Sequence, residues 1–279
     1  MDYSDSLKAP AIKSISILGC GWLGLPFARR LLQEGYQVKG STTHLQKIEQ
    51  LQRDGVESFL LKAEPLLEGP RQEEFFDTDC LFITIPYKRD LKDPRYYKEQ
   101  ISSIVSKAKE SSVKKIIFSS STSVYPDNAG VVTEDSPFSS DNERAKVLLE
   151  VEDICRAFGE AIIVRFAGLV GNERKIGKFL SGKMDIPDGD SPVNLIHLED
   201  CIEILLLLIK GSYGSQTFNA CADEHPFKKM LYTQAAKKAG LPPPEFLPAS
   251  VQKTKIVSNQ KLKEVLKYRF RYPNPMTFP

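Results

Sequence analysis

The 279-residue chain has little of what marks a secreted, membrane-spanning or metal-binding protein. Its five cysteines, Cys20, Cys80, Cys155, Cys201 and Cys221, are odd in number, widely spaced and free of any C-x-x-C pair. That argues against a disulfide framework and fits free thiols in a reducing cytoplasm, most of them serving as small buried hydrophobes. The three histidines, His44, His197 and His225, have no metal-ligand spacing. No apolar run approaches the roughly 20 residues of a membrane helix; the longest, ILLLLI at 204–209, is far shorter. The opening MDYSDSLKAPAIK carries charges where a signal peptide needs an apolar stretch, and reads as a short frayed arm. The formal net charge is only +2, with lysines spread along the chain, so a nucleic-acid footprint is not expected.

Against this background one run is dense in information: Gly19-Cys20-Gly21-Trp22-Leu23-Gly24. An apolar strand-like stretch, 15–18, precedes it. An apolar helical pattern, Leu23, Phe27, Ala28, Leu31 and Leu32, follows. In that strand–turn–helix setting G-x-G-x-x-G binds a dinucleotide. Gly19 permits the tight turn, Gly21 leaves room for the pyrophosphate, and Gly24 lets the helix pack close to the sheet. The phosphates then lie at a helix N-terminus, against unpaired N–H groups. The plain alternative is a glycine-rich turn.

Strands and helices alternate from there. Short Ile/Val/Phe/Leu-rich runs at 14–18, 37–41, 58–61, 81–86, 115–119 and 161–165 read as strands buried on both faces. Helical patterns fall at 22–33, 44–53, 95–111 and 141–157. Alternation of this kind predicts an α/β fold with a doubly wound parallel sheet, binding ligands beyond the carboxyl ends of its strands. The last third continues with strand-like 192–196, a helix at 198–209, a strand at 216–220 and a helix at 228–238. After the break Gly240-Leu241-Pro242-Pro243-Pro244 a helix-like stretch follows at 259–266.

The second strand bears on the choice of cofactor. An NAD site usually holds a carboxylate about 20 residues past the glycines. Here the stretch is Lys39-Gly40-Ser41-Thr42-Thr43-His44. It offers the hydroxyls of Ser41, Thr42 and Thr43 and, with Lys47 and a protonated His44, positive charge. This favours NADP, with NAD the alternative. Thr43 also suits a helix N-cap. The fifth strand ends in the hydroxyl-rich Ser119-Ser120-Ser121-Thr122-Ser123-Val124-Tyr125, a pattern that ordinary turn chemistry also produces. Asn172, Arg174, Lys175 and Lys178 form a basic cluster that suits either an anionic substrate or a solvated face.

Together the glycine motif, the S-S-S-T-S-V-Y run, Arg165-Phe166-Ala167-Gly168-Leu169-Val170-Gly171 and Val193-Asn194-Leu195-Ile196-His197-Leu198-Glu199-Asp200 resemble an extended short-chain dehydrogenase/reductase of the NAD(P)-dependent epimerase/dehydratase superfamily. The resemblance implies an NAD(P)-binding Rossmann domain over 12–171 and a smaller substrate-binding region over 172–279 packed on it. It implies cofactor contacts from Gly19, Cys20, Gly21, Trp22, Leu23 and Gly24, from Ser41, Thr42, Thr43 and His44, from Ile85 and Pro86, and from Ser119, Phe166 and Gly168. It implies Ser121 as the catalytic hydroxyl and a Tyr-x-x-x-Lys pair on the next helix.

The lysine of that pair is Lys146, but Asn142 stands where the tyrosine belongs. An amide hydrogen-bonds without titrating in the useful range, and loss of a general acid or base costs about 10²–10⁴ in rate. The sequence is therefore similar to the superfamily's atypical members. Lys146 either binds the nicotinamide ribose or pairs with Glu150 on the surface. Tyr125 either replaces the missing phenol or packs in the core. Two functions follow: an oxidoreductase or epimerase/dehydratase-like enzyme acting on a small hydroxyl or carbonyl compound such as a nucleotide sugar, or a cofactor-sensing protein without turnover. Analogy with related proteins implies a homodimer through the helices at 95–111 and 141–157.

Overall fold

The computed structural model describes residues 12–87, 93, 95–138, 142–248 and 253–279. The expected N-terminal arm, except residues 12 and 13, and the first residue of the helix expected from 141 lie outside the described residues.

Seven parallel strands form the central sheet: β1 (Ser14–Leu18), β2 (Gln37–Thr42), β3 (Glu57–Leu60), β4 (Cys80–Ile83), β5 (Lys115–Ser121), β6 (Ala161–Phe166) and β7 (Gln216–Ala220), in the order β7-β6-β5-β4-β1-β2-β3. The chain thus winds outward from β1 in both directions, the doubly wound arrangement that the alternating pattern predicts. Central strands are buried on both faces: every residue of β4 and of β6 is buried. The point where strand order reverses lies between β1 and β4, next to the glycine run.

Helices α1 (Gly24–Gln33), α2 (Ile48–Arg53), α3 (Arg95–Lys109), α4 (Glu143–Arg156) and α5 (Leu198–Lys210) accompany the sheet. Helix α1 is tied to α5 by the Arg30–Glu203 and Lys210–Glu34 ion pairs (3.0 and 2.5 Å). Helix α3 is tied to α4 by Lys98–Glu150 (2.9 Å). Both α5 and β7 follow residue 171, so the last third of the chain contributes to the central layers as well as to the region beside them. The remainder includes α6 (Lys228–Lys238), α7 (Gln260–Leu266) and a short parallel pair, Gly168–Val170 with Leu195–His197. Among the described residues no helix is long and apolar enough to cross a membrane.

Element ends shift where tertiary bonds intervene. The strand expected to reach Pro86 stops at Ile83. Thr84 N still donates to Leu18 O (3.1 Å), but the Ile85 carbonyl accepts from the Tyr97 hydroxyl (2.8 Å), and proline has no N–H to continue the ladder. Strand β5 runs to Ser121 because β6 pairs beside it, Ser120 with Arg165 and Ser121 with Phe166. The helix expected from His44 begins as a 3₁₀ turn, Leu45–Lys47, with His44 at its N-cap. Thr43 is not the cap; the Thr42 hydroxyl accepts from His44 N instead (3.2 Å). The strand expected at 192–196 starts only at Leu195.

Candidate dinucleotide groove and adjoining cavity

The glycine loop divides its work among three residues. Gly19 turns with φ +111°, a left-handed conformation that side chains disfavour. A Cβ on Gly24 would lie 2.3 Å from Gly19 O and 3.1 Å from Ile17 Cγ2, so only glycine lets α1 start this close to β1. A Cβ on Gly21 would meet nothing within 4 Å, because that Cα faces open space. Cys20 N donates to Ser41 O (2.8 Å) and Gly21 N to Gly19 O (2.8 Å). No acceptor among the described residues reaches the N–H groups of Trp22 and Leu23. The Cys20 thiol is buried beside Gly40, and burial pushes it up to about 12, so it is inert at neutral pH.

From this loop a groove of about 340 Å³ runs across the ends of β1, β2 and β4, lined by Gly19, Cys20, Gly21, Ser41, Thr42, Thr43, His44, Lys47, Ile85 and Pro86. It brings together Gly19, Cys20 and Gly21 of the loop with the residues singled out after strands β2 and β4, while Trp22, Leu23 and Gly24, also expected as contacts, are not part of its lining. Ser41 is buried, and its hydroxyl accepts from Gly19 N (3.0 Å). It braces the loop, while Thr43, His44 and Lys47 stand exposed on the rim. Glu64, Tyr96 and Gln100 also line the groove. They come from the segments after β3 and at the start of α3, with no local motif to mark them.

A second cavity, about 350 Å³, opens past the ends of β5 and β6 and is lined by Ser121, Thr122, Ser123, Asp127, Ala167, Gly168 and Asn194, closed by residues farther along the chain. Those are Asp188, Lys228, Tyr232, Lys253 and Lys255. Ser121 is half-buried and its hydroxyl accepts from Ser123 N (3.2 Å), which aims it at the start of a 3₁₀ turn. Asp127 binds Lys255 (2.8 Å) and Lys253 (2.9 Å). Burial opposes its charge, and the two ammonium groups outweigh that to hold its carboxyl below the ordinary value. Lys228 donates to Pro187 O (3.1 Å), and burial lowers its pKa. Sequence reasoning missed this lysine-rich wall because its members come from separate segments; the only local trace is the K-x-K spacing of Lys253 and Lys255.

The other expected residues disperse. Asn142 is the N-cap of α4, its Oδ1 accepting from Ala145 N (3.2 Å). Lys146 is exposed, and its ammonium group has no hydrogen bond or ion pair among the described residues; Glu150 pairs with Lys98, not with Lys146. Ser119 is half-buried in β5, and Phe166 is buried at the end of β6. The expected basic cluster separates. Arg174 lies over the Trp22 ring, its Cζ 4.3 Å from the centroid. Lys175 and Lys178 line a different groove with Leu231, Met276 and Phe278. Among the described residues no cluster of three His, Cys, Asp or Glu side chains is placed to hold a metal.

Tyr125 belongs to a buried network. Arg165 grips Glu152 with two bonds (2.9 and 2.7 Å) and donates to the Tyr125 hydroxyl (2.7 Å), which donates to Asn219 Oδ1 (2.8 Å). Ser120 donates to Glu152 (2.6 Å). Burial pushes the Tyr125 phenol up despite the pull of Arg165. This is core cross-linking of β5, β6, β7 and α4, and it leaves Tyr125 outside the cavity lining. Breaking such a pair by removing one partner costs about 3–5 kcal/mol.

Residues 15–221 match the sequence profile of the NAD dependent epimerase/dehydratase family. The chain belongs to that family. Protein YeeZ of Escherichia coli K12 is 37% identical over 273 residues, covering 96% of this chain and 99% of that one. A functionally unknown conserved protein from Silicibacter pomeroyi has a similar structure, with a TM-score of 0.74, 23% identity and 95% of each chain covered. So has the UDP-glucuronic acid 4-epimerase of Bacillus cereus solved in complex with NAD, with a TM-score of 0.77, 17% identity, and 92% and 94% covered. At these identities the structural matches speak for the Rossmann-like fold.

Proposed function

We propose that this family member binds NADP in the groove of the glycine loop and acts as an oxidoreductase or epimerase-like enzyme on a small hydroxyl or carbonyl compound bearing an anionic group. The observation that carries the reading is the position of Ser121. Its hydroxyl lines a cavity that Lys228, Lys253 and Lys255 also line, and that cavity lies past the carboxyl ends of β5 and β6, on the same edge of the parallel sheet as the groove past β1, β2 and β4. The open face of Gly21 and the free N–H groups of Trp22 and Leu23 fit a pyrophosphate. The absence of a carboxylate at the end of β2, with His44 and Lys47 on the rim, supports NADP over NAD. The Bacillus cereus complex with NAD makes NAD the alternative.

When bound, the nicotinamide supplies hydride exchange. Ser121 donates a hydrogen bond to the reacting oxygen. The lysines hold the substrate's anionic group, three ammonium groups facing Asp127 and Asp188. The proton normally held by the family's tyrosine has another candidate holder: the phenol of Tyr232, on the cavity wall one helical turn from Lys228. A phosphorylated or nucleotide-linked sugar meets these requirements.

The second reading, a cofactor sensor without turnover, is favoured by Asn142, which caps a helix, and by the isolation of Lys146. The experiment is NADPH oxidation and NADP reduction over a panel of sugar nucleotides and sugar phosphates, with calorimetric titration of both dinucleotides. Turnover that drops in Ser121→Ala and Tyr232→Phe supports the enzyme. Tight NADP binding with no turnover across the panel supports the sensor. No binding of either dinucleotide overturns both.

A further inference from the structure

We infer that Arg174 is a pyrophosphate-binding residue of the dinucleotide groove, contributed by the chain beyond the sixth strand and held in readiness on the indole of Trp22. This rests on the reading that the groove takes a dinucleotide.

Three observations converge. First, the backbone at Arg174 is fixed. Gly171 and Arg174 exchange both backbone bonds (Gly171 N to Arg174 O 3.2 Å, Arg174 N to Gly171 O 2.9 Å), closing a tight turn with Gly171 at φ +123° and Asn172 at φ +47°. Such a turn fixes the direction in which Arg174 leaves the backbone. Second, the side chain lies over the Trp22 ring with Cζ 4.3 Å from the centroid, and Trp22 is the residue directly after Gly21, whose open face fits the phosphates. The guanidinium has no carboxylate partner among the described residues. Most arginines of the chain do: Arg29, Arg30, Arg53, Arg71, Arg95, Arg156, Arg165 and Arg271 are all in ion pairs. Third, the indole Nε1 is buried with no acceptor. A buried donor without a partner is uncommon and calls for an explanation. Among the described residues, two donors without an acceptor therefore lie together beside a loop whose own Trp22 and Leu23 N–H groups also lack one. An anion is what such a set lacks. A pyrophosphate answers it, because a planar guanidinium can take two phosphate oxygens at once while keeping one face on an aromatic ring.

The arrangement also assigns a reason to the order of the chain. The loop after the sixth strand brings Arg174 beside the glycine loop that leads into α1, so that two distant segments of the chain would grip one ligand.

The test uses the full chain, with Trp22 as reporter, since it is the only tryptophan. Affinities of NADPH, NADH and ADP-ribose are measured by calorimetry and by Trp22 emission for the parent, Arg174→Gln and Arg174→Lys. All three ligands carry the pyrophosphate, while ADP-ribose has no nicotinamide. Arg174→Gln is expected to weaken all three by a similar factor, roughly 10-fold or more, and to reduce the salt dependence of binding. Arg174→Lys should recover part of the loss, and the circular dichroism should be unchanged because the side chain is exposed. Equal affinities in the parent and Arg174→Gln would overturn the assignment while leaving the groove intact. A loss confined to NADPH and NADH would also overturn it, by moving Arg174 to the nicotinamide end. A parent that binds none of the three would refute the dinucleotide reading itself, and this inference with it.

Discussion

Gly24 begins α1 so close to the carbonyl oxygen of Gly19 that a Cβ on Gly24 would lie 2.3 Å from it. The two glycines form one joint, and Gly21, between them, is left to face outward. The consequence is a clean separation within six residues between glycines that serve packing and a glycine that faces open space.

That separation is testable by substitution. Gly24→Ala forces the helix off the strand and should destabilise the protein by about 1–3 kcal/mol, the range of overpacking, lowering the urea midpoint. Gly21→Val should leave the midpoint unchanged, because a Cβ there meets nothing. It should weaken dinucleotide binding by about 100-fold or more, a few kcal/mol of conflict with the pyrophosphate. A folded Gly21→Val protein with parental affinity would place the cofactor elsewhere.

Cofactor choice should respond at the rim and not at Ser41. The Ser41 hydroxyl is buried in a bond to the loop, so a charge there would disturb the fold. Lys47 is exposed and lines the groove. Lys47→Glu should erode an NADP preference by roughly 10-fold or more, since a hydrogen bond to a charged group contributes about 1.5–3 kcal/mol. Calorimetric titrations with NADP and NAD decide it, and an unchanged ratio would count against Lys47 meeting the 2′-phosphate.

Asn142→Tyr restores the family's residue but removes a helix cap. Stability should fall by about 1 kcal/mol. If the position still faces the reacting oxygen, any weak rate on sugar nucleotides should rise, and Ser121→Ala should lower it by about 100-fold or more. A brisk parental rate indifferent to Ser121→Ala would locate the chemistry outside this cavity.

Asp79 predicts an acid limb of stability. It ties the starts of β1, β4 and β5 together, accepting from Lys13 N (2.8 Å), Ser14 N (3.1 Å) and Lys114 Nζ (2.7 Å). Burial opposes its charge, but these bonds outweigh burial and hold the carboxyl down at about 2. A depressed carboxylate stabilises the fold above its unfolded value, near 4, and loses that contribution as pH falls through about 2. Allowing for solvent screening, Asp79→Asn should cost about 1–2 kcal/mol at pH 7 and nearly nothing at pH 2. Denaturant melts at the two pH values measure the difference.

Short-range signals carried the fold a long way. The apolar runs marked all seven strands of the sheet, because strands buried on both faces need little else, and three of the helices and strands, 14–18, 216–220 and 228–238, have the very ends that the pattern predicts. The glycine spacing located the loop, since turn, clearance and packing are all demands on local backbone. Two of the departures come from bonds between separate elements: the Tyr97 hydroxyl that ends β4, and the neighbour β6 that lengthens β5. A single sequence likewise allowed Tyr125 either a catalytic or a core role, and it is the grip of Arg165, 40 positions away, that places it in the core.

By itself, then, the order of amino acids determined a doubly wound sheet and the glycine-rich turn from its first strand into its first helix, because periodicity and glycine sterics act over a few residues. The tertiary structure alone decided which side chains share a cavity. Ser121 meets Lys228, Tyr232, Lys253 and Lys255, and Arg174 meets Trp22, only after the last third of the chain has folded back on the strand ends. No local propensity encodes such encounters; they arise from burying the apolar faces of α5, β7 and α7 against one sheet.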